Sequence, residues 1–154
     1  MENEKLDLSS IYTPLILDHS KNPRNHLTLD CSDISGSAVN PFCGDEVKIQ
    51  IQTERDKISL VGIETTGCFL NIASSSIVSQ AILGLSVTSI NEFIKQYRLM
   101  IQRKSGNSND IVILKYLEDD IKESLDEITK VRDFPIRIKC TLLVTVALQN
   151  IEMN

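Results

Sequence analysis

The 154-residue chain carries 16 Lys and Arg against 21 Asp and Glu, a net charge of −5, and is 42% hydrophobic. That length supports one domain with a sizeable core, and the composition excludes a wholly disordered chain. The acidic balance argues against general binding to a nucleic-acid backbone. The longest aliphatic run, 111–114, is too short for a membrane span. The start Met1-Glu2-Asn3-Glu4-Lys5 has no apolar segment behind it, so a cytoplasmic chain without a secretory leader is expected.

Thr13 and Pro14 read as the N-cap and first residue of a helix over 14–21, where proline's missing N–H costs nothing. Residues 24–46 read as loop, with a short strand near 37–40. Val47, Ile49 and Ile51 then alternate with Lys48, Gln50 and Gln52, the pattern of a half-buried strand. A polar turn at 54–57 leads into the second arm of a hairpin. Its phase slips at Leu60-Val61, near Gly62, which predicts a bulge. Gly67 breaks the strand, and a helix rich in small residues (Ala73, Ser74, Ser75, Ser76, Ser79 and Ala81) is predicted over 68–83, ended by Gly84.

Ser89 and Glu92 form a capping-box pattern ahead of an apolar stripe of Ile90, Phe93, Ile94, Tyr97 and Ile101. After a polar loop over 104–110, Leu114, Leu117, Ile121, Leu125 and Ile128 make a second stripe. Glu118–Lys122 and Asp126–Lys130 are i,i+4 pairs in the favourable order. Between 110 and 133 eight acids stand against four bases, net −4, which reads as a solvated helix face. Phe134-Pro135 reads as a break, and a last helix over 139–152 buries Leu142, Leu143, Val146, Ala147 and Ile151. The sum is an α+β domain: a small antiparallel sheet of three strands packed with about five helices.

Four cysteines, Cys31, Cys43, Cys68 and Cys140, allow two disulfides. Without a visible leader a disulfide framework is the weaker reading; metal or redox chemistry and simple buried thiols stand about even on composition. Cys43 and Asp45 flank Gly44 and can point to one side of an extended segment. Cys68 follows Gly67 at a predicted helix start, where the macrodipole favours a thiolate, and Cys140 is expected at another. Three thiolates and a carboxylate suit tetrahedral Zn²⁺, at about 2.3 Å for sulfur, and equally an iron–sulfur cluster. With a dication such a set has net charge −2 and calls for nearby cations; Arg137 and Lys139 flank Cys140. Spacing alone leaves metal binding and buried thiols evenly matched, since there is no Cys-x-x-Cys pair.

Asn40-Pro41-Phe42-Cys43-Gly44-Asp45, Gly67-Cys68 before an Ala/Ser-rich helix, and Phe134-Pro135-Ile136-Arg137-Ile138-Lys139-Cys140 together resemble the NifU-like N-terminal (IscU/SufU) family. Asp18-His19-Ser20-Lys21-Asn22-Pro23-Arg24-Asn25 resembles that family's opening segment. The resemblance implies a SufE/NifU-like fold and a role in iron–sulfur cluster assembly. Lys139, where IscU-type scaffolds usually have histidine, and the stretch at about 104–133, which looks like an insertion, resemble the SufU branch. The resemblance implies Cys43, Asp45, Cys68 and Cys140 as metal ligands, Cys43 as sulfur acceptor, and Arg137 as a partner-facing or supporting residue.

The expected function is therefore a zinc-dependent sulfur relay, a sulfurtransferase-type acceptor rather than a conventional enzyme. It would be served by a pyridoxal-phosphate, SufS-like cysteine desulfurase and followed by cluster assembly or acceptor proteins. The alternative is a scaffold that builds and releases a [2Fe–2S] cluster on the same ligands; a purely structural zinc protein is a third. Cys31 has no counterpart in these motifs and is expected to be a bystander. His19 is expected to be a structural hydrogen-bonding residue and His26 to lie on a surface loop. The segment after Cys140 lacks the tryptophan often seen in the family.

Overall fold

Alternation along 47–52 puts Val47, Ile49 and Ile51 on one side of a strand, and all three are buried beneath the helices. The computed structural model describes residues 8–103, 106–114 and 117–154. Residues 1–7, the start expected to lack a leader, lie outside these, as do 104–105 and 115–116 of the stretch at about 104–133. The strands are β1 (Ile34–Val39), β2 (Glu46–Glu54), β3 (Lys57–Thr66) and β4 (Glu152–Met153). They form one antiparallel sheet in the order β3-β2-β1-β4. The helices are α1 (Pro14–Lys21), α2 (Phe69–Ala81), α3 (Ile90–Gln102), α4 (Asp119–Ile128) and α5 (Pro135–Gln149), with four short 3₁₀ turns among the described residues.

The helix α2 sits at the centre of the molecule, against α1, α4, α5 and β3. Its small residues explain the placement: Ala73, Ser74, Ser75, Ser76 and Ser79 are buried, and short side chains let neighbouring backbones approach. Ser74, Ser76 and Ser79 find partners at depth, as most buried hydroxyls do, whereas Ser75 Oγ has none among the described residues. Ser74 Oγ donates to Thr141 O on α5 at 2.6 Å and lies 2.7 Å from the Tyr97 hydroxyl on α3. Burial also raises the Tyr97 phenol far above its ordinary pKa, so it remains neutral. No helix among the described residues is long and apolar enough to cross a membrane.

Several expectations are corrected. The sheet has four strands, because the short β4 returns after α5 and pairs Glu152 and Met153 with Ser35 and Ile34 of β1. The first strand runs Ile34–Val39, where a shorter one near 37–40 was expected. Pro135 does not interrupt a helix but begins one: at the first position its missing N–H is no loss, so α5 starts four residues early. Cys140 therefore lies in the second turn of α5 and not at its start. Ser89 caps α3 by position only; its hydroxyl lies 2.7 Å from Ser86 Oγ and makes no cap bond to the helix. Leu114 and Leu117 pack on the core outside α4, which begins at Asp119 with Asp119 and Asp120 complementing its dipole. Lys130 pairs with Glu127 at 3.0 Å, while Asp126 accepts the Ser108 N–H. The bulge falls at Ser59, left out between the pairs Gln52↔Leu60 and Thr53↔Ile58.

Candidate metal centre

The loop 40–45 joins β1 to β2 beyond their last pair, Val39↔Glu46. Asn40 closes it: its N–H donates to Asp45 O at 2.8 Å, its carbonyl accepts the Gly44 N–H at 2.8 Å, and its Oδ1 accepts the Phe42 N–H at 3.0 Å. Gly44 supplies the left-handed residue the turn requires, at φ 74°. The result places Cys43 exposed at the tip and Asp45 buried at the base.

Cys68 is the N-cap residue of α2. Its N–H donates to Asp45 Oδ1 at 2.9 Å. Gly67, at φ 112°, lies so close to this carboxylate that a Cβ there would collide with Oδ1 and stand 2.8 Å from Cγ. Cys140 approaches from α5 and is buried. One donor atom each from Cys43, Asp45 and Cys140 lie within 4.8 Å of one another. Cys68 is outside that set; its sulfur instead interacts with Cys140 and accepts a hydrogen bond from Arg137 Nη1 at 3.3 Å.

The electrostatics favour a cation here. Burial first, and then the Asp45 carboxylate and the Cys68 sulfur, push the Cys140 thiol far above its usual pKa. Desolvation works against the charge of Arg137, but the Cys68 and Cys140 sulfurs outweigh it and raise the arginine's pKa. Asp45 Oδ2 is buried with no hydrogen-bond partner among the described residues. An orphaned carboxylate oxygen beside two thiols, with a third sulfur adjacent, fits the donor chemistry of Zn²⁺.

Around the centre, Phe42 is 89% exposed and Ile136 82% exposed, and Lys139 Nζ lies 5.7 Å above the Phe42 ring. Tyr12 stacks on Phe69 at 4.5 Å between ring centroids. Cys31 is exposed and stands apart from the cluster. His26 is exposed and accepts the Thr65 N–H, whereas His19 is buried between Ser76 and Ser124. Asn40, read from sequence only as the first residue of a motif, and Asn71, given no role there, support the ligand loops. For Asn71 a signal existed, an asparagine within the apolar run Phe69-Leu70-Asn71-Ile72-Ala73.

The chain is similar to proteins of one kind. The zinc-dependent sulfurtransferase SufU of Bacillus subtilis is 34% identical over 144 residues, covering 93% of this chain and 90% of that protein. The iron–sulfur cluster assembly scaffold protein IscU of Streptococcus pyogenes is 30% identical over 142 residues, covering 92% and 82%. The crystal structure of a putative iron–sulfur cluster assembly scaffold protein for the SUF system from Fervidobacterium islandicum superposes with a TM-score of 0.75 at 27% identity, covering 93% of this chain and 97% of that one. The NifU-like N terminal domain matches residues 11–102, and the chain belongs to that family.

Proposed function

We propose that the protein serves iron–sulfur cluster assembly as a zinc-dependent sulfur acceptor, taking sulfur from a pyridoxal-phosphate cysteine desulfurase onto Cys43. The observation that carries this reading is the exposure of Cys43 at a loop tip while its sulfur stays within 4.8 Å of donor atoms of Asp45 and Cys140. Cys43, Asp45, Cys68 and Cys140 would hold Zn²⁺, and bound zinc would keep the thiols deprotonated at neutral pH. The similarity to a relative named a zinc-dependent sulfurtransferase supports it. The stretch at about 104–133 is read as an insertion of SufU type.

In the transfer, the Cys43 thiolate attacks the outer sulfur of the desulfurase persulfide. A bond forms between the two sulfurs, the persulfide S–S bond breaks, and the electron pair leaves on the desulfurase cysteine as a thiolate. A loop cysteine can advance toward a partner more readily than one held in a helix. The apolar collar of Phe42 and Ile136, with Lys139 and Arg137 beside it, gives a desulfurase both apolar and cationic surface to meet.

Adding the protein to a desulfurase should speed cysteine turnover, and mass spectrometry should then place extra sulfur on Cys43. Cys43→Ser should abolish the stimulation, while Cys31→Ser should leave it intact. Full stimulation by Cys43→Ser, or added sulfur on Cys31, overturns the relay. The scaffold reading, a [2Fe–2S] cluster on the same ligands, is favoured by the similarity to proteins named as scaffolds. Metal analysis of protein purified without air separates the two: about one zinc per chain supports the relay, and a visible cluster spectrum without zinc supports the scaffold.

A further inference from the structure

Asn71 is a residue that helix chemistry does not explain. It lies in the first turn of α2 among apolar neighbours, is fully buried, and is of a type that favours caps and turns over helix interiors. Its Nδ2 donates to Glu46 O and to Thr66 O, both at 3.1 Å, and these two acceptors fix the orientation of the amide. Glu46 and Thr66 are cross-strand partners at the end of the β2–β3 ladder. Asp45, the last residue of the loop, immediately precedes Glu46; just past Thr66 on the other strand come Gly67 and Cys68. A single side chain thus ties together the two points from which the ligand loops depart. Its Oδ1 is buried with no partner among the described residues, which costs free energy. Asparagine is the shortest side chain with two donors on one atom, and both are used on these carbonyls.

We propose that Asn71 is a positioning residue for the metal centre, setting the separation of the Asp45 and Cys68 loops and so holding the Asp45 carboxylate against the Cys68 N–H. This role presupposes the metal reading above. The carboxylate can accept the Cys68 amide and keep Oδ2 free for a cation only while the two loops keep their spacing. Without the clamp, Asp45 and Cys68 would shift independently and the donor atoms would no longer be pre-set.

The test compares wild type, Asn71→Ser and Ser79→Ala. Ser79 is a buried serine near the other end of the same helix whose bonds run to Arg24, Asn25 and Ser76, away from every ligand. Zinc affinity is measured by chelator competition, metal-free stability by urea unfolding, and the ligand geometry by the visible spectrum of the cobalt-substituted protein. Asn71→Ser should weaken zinc binding by at least about tenfold and alter the cobalt spectrum, as loss of a ligand-orienting partner does. Ser79→Ala should lose stability while keeping the wild-type affinity and spectrum. An Asn71→Ser protein with wild-type zinc affinity and cobalt spectrum overturns the role, as does an equal loss of affinity in Ser79→Ala. If Asn71→Ser does not fold, wild type decides by nuclear magnetic resonance. The Asn71 side-chain amide protons should shift and exchange more slowly on zinc loading, and identical shifts and rates with and without zinc overturn the proposal. A wild type that takes up no zinc overturns the metal reading itself, and this role with it.

Discussion

Asp45 accepts the Cys68 N–H through Oδ1 at 2.9 Å while its Oδ2 stays buried without a hydrogen-bond partner among the described residues. One oxygen is committed to the start of α2, and the other is available to a cation. The contact is possible because Gly67 has no Cβ to occupy the space the carboxylate fills.

Gly67→Ala is therefore expected to fail in two ways. Its φ of 112° strains any side chain, at a cost of about 1–3 kcal/mol, and the added methyl would displace Asp45. Gly84 offers a matched control, with φ 86° and nothing within 4 Å of a built Cβ. Urea unfolding should show both alanine variants destabilised. Chelator competition should show zinc affinity lost only in Gly67→Ala; equal affinity in the two variants would contradict the carboxylate's role.

Asp45→Ala leaves three thiols and removes the hard ligand. If the protein relays sulfur, the variant should chiefly lose desulfurase stimulation. If it is a scaffold, a [2Fe–2S] cluster reconstituted with iron and sulfide should persist longer on the variant than on wild type. Timing the decay of cluster absorbance in both proteins distinguishes these outcomes, and identical lifetimes remove support for the scaffold.

The parts of this molecule that could be read from sequence are those with strong local patterns. The alternation of Val47, Ile49 and Ile51 and the Thr13-Pro14 start of α1 are set by neighbours within a few residues. The two-residue β4 was invisible because Glu152 and Met153 are strand only through pairing with β1, more than a hundred residues away. The start of α5 was missed because Pro135 is compatible with a break and with a first helical position alike, and packing decides. At the centre, the ligands announce themselves by residue type and order. The support is legible only in part: Arg137 stands in the last motif beside Cys140, but its reach to Cys68, 69 residues away, is set by the fold, and Asn71 acts through backbone carbonyls of residues that carry no signature.

His19 ties α1 to α2 and α4 in one tautomer. Ser124 gives its one proton to Asp120 O, so it accepts Nε2–H at 3.0 Å; Nδ1 of the neutral ring is then the acceptor and takes the Ser76 proton at 2.7 Å, while Ser76 Oγ accepts the Arg24 N–H at 2.8 Å. Burial, helped by Arg24 and opposed by Asp18 and Asp120, lowers its pKa from 6.5 to about 4. The unfolded chain thus takes up this proton before the folded one does. The stability this neutral histidine contributes is complete above pH 6.5 and is lost as pH falls toward about 4. In metal-free protein the urea midpoint should fall across that window. His19→Phe should be less stable at pH 7 and lack this part of the decline; an equally steep fall would rule the histidine out as its source.

Arg137 faces a centre that would retain net negative charge with a dication bound, and its Nη1 lies 3.3 Å from Cys68 Sγ. Lys139, the other cation of the segment, is turned toward the Phe42 ring instead. Arg137→Met should therefore weaken zinc binding, and Lys139→Met should change it little. Arg137 is only half-buried, so part of its effect is screened by salt; the Debye length falls from about 10 Å at 0.1 M to about 3 Å at 1 M. Chelator competition at those two ionic strengths should show the gap between wild type and Arg137→Met narrowing at the higher one. A gap independent of salt would mean that arginine acts through packing, and a larger loss in Lys139→Met would reverse the assignment of the two cations.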